Sequence, residues 1–432
     1  MGRRARPGTG AGRAAGAAMI AGLAREWRLL GGAARLGLVV LALLAGVAVA
    51  LGLAEVARTR ADIAHVRALE ARETAATASF AHGDAGEFGY YRNFPAWRTP
   101  GDLAFLAPAR GDAVPAILRI RILALEGQIN DNEAANPELL LAGRFDFAFV
   151  TLYLAPLLLI ALLHDLWSGE REAGRLAALD SLPRARWRLW SPRALLRVSG
   201  VALALLLPLG AAGLIEGTAP ARLAGAAALV LASLAFWALV TLAVARTAAA
   251  SATQAAVLAG LWFAITLVVP AAAHLAINAA VPLPDAAAIA RENREEVHAG
   301  WDRPKAQTMA RFVAQYPAYA SQAATGLAFE WKWYFAFQHL GDLAVAADSA
   351  AREAGIARRE ALAQRLGWLL PPLKAAQALQ HLAGSDVAAD LAFRARVRAW
   401  HRALREYHYP YLFGGRPMGL DDLDAAPAFA ND

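Results

Sequence analysis

Five long windows of this chain carry no charged residue, and they restrict the fold more than any other feature. A helix needs roughly 20 apolar residues to cross a bilayer core about 30 Å thick. A charge left at its centre costs on the order of 2.5–3.5 kcal/mol. Residues 36–53 run uncharged between Arg35 and Glu55, and 147–163 between Asp146 and Asp165. Residues 198–215 lie between Arg197 and Glu216, and 223–245 between Arg222 and Arg246. From Thr247 to Pro284 there is no Asp, Glu, Lys or Arg at all. One such run could be a buried helix, but five are transmembrane helices. We therefore expect an all-α integral membrane protein with spans at 36–53, 146–163, 194–216, 223–245 and 253–280. Pro156, Pro208 and Pro270 fall inside these spans, where membrane helices tolerate a kink.

The composition agrees, at 58% hydrophobic and 18% charged residues, although such averages would also fit an apolar soluble enzyme. The distribution decides between them. The first span is longer than the 7–15 residue core of a cleaved signal peptide, so a retained signal anchor is expected. Residues 1–18 are a Gly/Ala/Arg low-complexity leader, expected to be disordered. The net charge of +7 is carried by Arg almost alone, with Lys only at positions 305, 332 and 374. That bias points to a GC-rich genome and to the bacterial cytoplasmic (inner) membrane. The arginines flank apolar runs, which is the pattern of membrane topology rather than of nucleic-acid binding. Seven lie in residues 1–35 and seven in the 164–197 loop, so both segments are expected in the cytoplasm, N-terminus included.

That topology leaves two extracytoplasmic regions, 54–145 and 285–432, together more than half the chain. The first opens as a helix over 59–80 that continues span one, then breaks into a Gly/Pro-rich stretch. The second reads as helices over 286–298, 305–316, 328–366 (with Gly341 and Gly355 as break points) and 386–406. Neither shows sustained β alternation. The cluster Trp331, Trp333, Tyr334, Phe335 and Phe337 is expected to pack the second region. Charges at 330, 332 and 342, and Pro371-Pro372 with Lys374, argue against a sixth span there.

Catalytic motifs are scarce. There is no Walker A phosphate loop, no HExxH, no GxSxG and no SxxK. With no cysteine, disulfides, zinc-thiolate sites and thiol catalysis are excluded. Glu295 and His298 form a lone ExxH, short of the ligands a di-metal bundle needs. His401 and His408 are two helical turns apart and read as surface or capping groups. No metal, cofactor or catalytic residue is therefore assigned. In span five, His274 and Asn278 share a face at i, i+4; they read as an interhelical hydrogen bond or a polar pathway.

The most informative stretch follows span two. Glu170, Arg171 and Glu172 sit just inside the membrane, Gly174 permits a bend, and Leu176, Leu179 and Leu182 form an apolar patch ending at Pro183. A short amphipathic helix under the bilayer is a docking surface. The positive-inside rule alone accounts for the arginines but not for the paired glutamates.

This segment resembles the permease subunits of type-2 ABC exporters, whose hallmark after span two is E-R-E-x-G-T-L followed by a proline. Residues 170–176 and Pro183 match it, with Arg175 in place of the threonine. Arg25-Glu26-Trp27-Arg28-Leu29-Leu30 is similar to the amphipathic elbow helix of these permeases, here 19–35. Asn136-Pro137 through Gly143, then Phe145-Asp146 and Phe149-Val150, resemble the subgroup with large extracytoplasmic insertions and a domain of unknown function. The likeness covers most of residues 20–285 in layout. It implies a cytoplasmic ABC ATPase docked on the 164–193 coupling loop and the elbow, and a second permease, identical or a sister subunit. Glu170→Lys is expected to uncouple transport and leave insertion intact. The family pattern of six spans would return the C-terminus to the cytoplasm, whereas five leave it outside. Two other classes stay open: a membrane-anchored scaffold or sensor whose 285–432 region binds a partner, and a membrane enzyme acting through His274 or Glu295 and His298.

Overall fold

The computed structural model describes residues 23–108, 115–131, 145–183 and 185–430. The leader at 1–18, the start of the elbow and the Asn136–Gly143 stretch lie outside the described residues. The chain is a multi-pass, mainly helical membrane protein. Among the described residues, five helices are long and apolar enough to cross a bilayer: Gly32–Ser79, Phe147–Glu172, Ser191–Ile215, Pro220–Ala245 and Ser251–Ala280, here spans one to five.

Proline shapes three of these helices. Within a helix it removes a backbone donor, and its ring presses on the carbonyl of residue i−4. Widened π turns occupy Val150–Leu154, Arg186–Trp190 and Ala264–Val268. Each ends two residues before a proline, at Pro156, Pro192 and Pro270, and contains the i−4 position that the ring would strike. The wider turn takes up the clash and lets the helix continue.

Span two is the most enclosed, with 61% of its apolar window buried, against 11% for span five. Leu159, Val201, Leu205, Val230 and Trp237 form the centre of the bundle, and Ala45 and Ala48 of span one are wholly covered. Small residues at such positions let helix backbones approach where lipid offers no hydrophobic drive.

Span one belongs to a 50-residue helix, Gly32–Ala81, that runs on beyond the bundle. At about 1.5 Å per residue it is roughly 75 Å long, more than twice a bilayer core. Beyond it lie α1 (Ala85–Tyr91), β1 (Phe94–Trp97), β2 (Ile117–Ile120) and α2 (Leu125–Asp131). The strands pair antiparallel with Phe94 opposite Ile120 and Trp97 opposite Ile117. No strand was expected from the sequence, because four residues are too few to display alternation.

After span five come α3 (Ala286–Asp302), α4 (Lys305–Gln315), α5 (Trp331–Gly367), α6 (Pro371–Ala383), α7 (Val387–Gly414) and α8 (Leu420–Asp424). The two regions share one apolar core: Phe88, Phe94, Ile120 and Ile122 join Phe312, Trp333, Phe335, Phe337, Phe393 and Tyr409. Helix α5 is unbroken at both glycines that were expected as break points. They are close approaches instead: a Cβ at Gly341 would lie 2.6 Å from Val297, and one at Gly355 2.3 Å from Leu283. Helices α5 and α6 form a hairpin against the bundle. Arg359 donates to the carbonyls of Val281 (2.8 Å) and Asn278 (3.4 Å), while Ala375, Leu379 and Ala383 of α6 enter the core of the spans. Trp368 and Leu369, at its tip, are 75% and 77% exposed.

Candidate functional site

The elbow, the segment after span two and the turn between spans four and five converge at the end of the bundle opposite the folded regions. Ser168–Glu172 forms one short helix and Leu176–Asp180 another. Gly174 between them has φ +69°, a left-handed value that favours glycine.

Glu170 faces inward. Its carboxylate accepts from Arg193 Nη1 at 3.0 Å and from Arg175 Nε at 2.8 Å. Arg193 also donates through Nε to Glu26 at 3.1 Å, and its guanidinium lies 5.3 Å from the Trp190 ring centroid. Glu26, 4% exposed, receives a second bond from Arg25 at 3.2 Å. Arg193 therefore joins the elbow to the Glu-Arg-Glu segment. Arg35 fixes the elbow's end by donating to the carbonyls of Trp27 (3.0 Å) and Arg28 (3.1 Å). Trp27 is 49% exposed and Arg28 is exposed.

Arg171 and Glu172 point to the next turn of the bundle. Arg171 donates to the carbonyls of Thr247 (3.2 Å) and Ala249 (3.4 Å). Glu172 accepts from the backbone N–H of Ser251 at 2.7 Å. That bond satisfies one of the free N–H groups opening span five, whose own N-cap, Ala250, offers no side-chain acceptor. A buried relay lies beneath: Ser251 Oγ donates to Ser168 Oγ (2.9 Å), which donates to Gln254 (2.8 Å). Gln254 in turn donates to the carbonyls of Ala245 and Thr247.

Past Gly174 the chain turns its surface outward. No residue of Leu176–Asp180 is buried. Leu176 and Leu179 rest half-buried against Ala185, Leu189 and Trp190, and the Trp190 indole donates to Asp180 at 2.9 Å. Ala177, Ala178, Ser181, Leu182 and Pro183 are exposed, Leu182 by 49%. The motif thus divides in two: Glu170, Arg171 and Glu172 bond back to Arg193, through it to the elbow, and to the turn before span five, and the stretch from Gly174 to Pro183 presents a small, partly apolar face.

The remaining sequence candidates lie elsewhere. His274 and Asn278 hydrogen-bond each other at 2.9 Å within span five, on its exposed side. Glu295 and His298 are exposed on α3, with Glu295 4.0 Å from Arg291. Among the described residues no group of three His, Cys, Asp or Glu side chains could hold a metal. His401 and His408 are not surface groups; they are 3% and 0% exposed. His401 donates to the carbonyl of Arg121 (3.0 Å) and His408 to that of Leu404 (2.8 Å). The partner on the 121–123 segment comes from another region of the chain, which spacing along α7 does not reveal. Sequence reasoning also left out Arg193, Ser168, Ser251 and Gln254. Arg193 was absorbed into the positive-inside count; Gln254, polar in a charge-free window, was the available signal.

A family described as a domain of unknown function (DUF3526) matches residues 287–431. The match takes in the second region from α3 through α8 and none of the spans. No curated protein and no solved structure matches the chain.

Proposed function

We propose that this protein is the permease subunit of an ABC transporter, with a separate ATPase subunit docked on the face from Gly174 to Pro183. The observation that carries the reading is the Glu26–Arg193–Glu170 chain of ion pairs. It links the elbow rigidly to the base of the exposed helix, and Arg171 and Glu172 extend the link to spans four and five. A push on Leu176–Asp180 would then reach several spans at once. Coupling requires the docked surface to differ in energy between two states, and a surface braced to several spans meets that need better than a free loop. On this reading the elbow end is cytoplasmic, the membrane is the bacterial inner membrane, a second permease completes the pore, and the chain itself hydrolyses no ATP. Membrane-lying and folded regions of this layout also suit transport by the resemblance to type-2 ABC exporters. The substrate stays unassigned.

The test is purification of the full chain from native membranes, asking whether an ATP-binding-cassette subunit accompanies it. Ala178→Arg and Leu182→Glu are expected to abolish that association without unfolding the protein, since neither side chain is buried. An intact chain that brings no such subunit, from membranes where it is made, would refute the reading and favour a membrane-anchored scaffold or sensor.

A further inference from the structure

Between α2, α5 and α7, with no residue of the five spans in its lining, lies an open cavity of ≈ 480 Å³, within the size range of small-molecule sites. Glu126, Tyr316, His339, Asp342, Glu353 and the arginines 398, 402 and 405 line it. Most of these charges are already matched. Arg398 binds Glu126 at 2.6 and 2.9 Å and pairs with Glu353, and Ser349 donates to Glu126 at 2.5 Å. Asp342 accepts from the backbone N–H groups of Leu125 and Glu126, both at 2.9 Å, and from Asn293 at 3.2 Å, and pairs with Arg405 at 2.9 Å.

Arg402 differs. It is exposed at the cavity wall and has no hydrogen bond or ion pair among the described residues. His339 lines the same cavity. Arg405 Nη1 donates to His339 Nδ1 at 3.3 Å, which leaves the imidazole neutral with its proton on Nε2. Burial and the positive charges of Arg405 and Arg402 push the His339 pKa down to about 3, so the neutral form holds at physiological pH. Tyr316 lines the same cavity, and Leu343, Ala346 and Ala350 supply an apolar wall.

We propose that this cavity binds a small anion, a carboxylate or phosphate, through Arg402 and the His339 Nε2–H, with any apolar part of the ligand along Leu343–Ala350. A planar guanidinium meets both oxyanions in bidentate geometry. The site goes beyond the transport reading and does not depend on it.

The test uses the full chain in nanodiscs, titrated calorimetrically with inorganic phosphate, hexyl phosphate and hexanoate. Saturable binding of at least one probe is expected, weakened at least tenfold by Arg402→Gln and partly restored by Arg402→Lys. The glutamine variant should keep its melting temperature, because Arg402 has no internal partner to lose. Tighter binding of the hexyl probes assigns the site to an amphiphile; binding of inorganic phosphate alone assigns it to the free ion. No saturable binding, or equal affinity in Arg402→Gln, overturns the proposal.

Discussion

Replacing Arg193 with methionine should loosen the elbow before it affects anything else. The side chain is 14% exposed and contacts two carboxylates, of which Glu26 is 4% and Glu170 17% exposed. Charge-assisted hydrogen bonds contribute about 1.5–3 kcal/mol each, and removing one member of a buried pair leaves its partner uncompensated, at about 3–5 kcal/mol. Arg25 still pairs with Glu26 and Arg175 with Glu170, so the loss should lie below that range, at roughly 2–4 kcal/mol. The elbow helix at 23–29 has few other ties: the Arg35 bonds and the buried Leu30 beside it. Hydrogen exchange of its amides reports the free energy of local opening. At 1.4 kcal/mol per tenfold, exchange should accelerate roughly 30- to 1000-fold. Glu26→Gln should give part of the same effect, and the double variant should fall short of the sum, because the two residues share one interaction. Additive effects, or unchanged exchange at 23–29, would refute the bridge.

Other outcomes test the folded regions. The chain lacks cysteine, so Leu369→Cys places a single thiol at the hairpin tip, whose exposed Trp368 and Leu369 predict contact with lipid and hence protection from a membrane-impermeant maleimide in nanodiscs; full labelling would place the tip in water. Phe312→Ala, at a wholly buried position stacked 4.7 Å from Phe413, should destabilise the shared core by about 3–5 kcal/mol, read as a lowered thermal midpoint. Acid should do the same by linkage. Burial holds His339 near 3, His408 near 4 and His401 well below 6.5, so the unfolded chain binds more protons. Stability is then fully present above about pH 6.5 and is lost as pH falls toward 4, by about 1.4 kcal/mol per unit for each histidine. The buried Asp342, whose pKa is raised by desolvation, acts in the opposite sense. A thermal midpoint unchanged between pH 7.5 and 5 would contradict this.

The membrane class, the five spans and the helical second region were legible in the sequence, because exclusion of charge from hydrocarbon acts on contiguous residues. The same local reading located the Glu-Arg-Glu segment and the aromatic cluster from 331 to 337. Tertiary structure decided which way those groups point. Glu170 turns inward to Arg193, and Glu172, itself exposed, turns back to the Ser251 N–H; these partners lie 23 and 79 positions away along the chain. His401 is buried because the carbonyl of Arg121, 280 positions distant, receives its proton. Gly341 and Gly355, read as breaks, are where Val297 and Leu283 press against α5. Hydropathy is a property of neighbours in sequence, whereas a hydrogen-bond partner is a neighbour in space, and only the folded chain brings the two regions beyond the spans into one core around the Arg402 cavity.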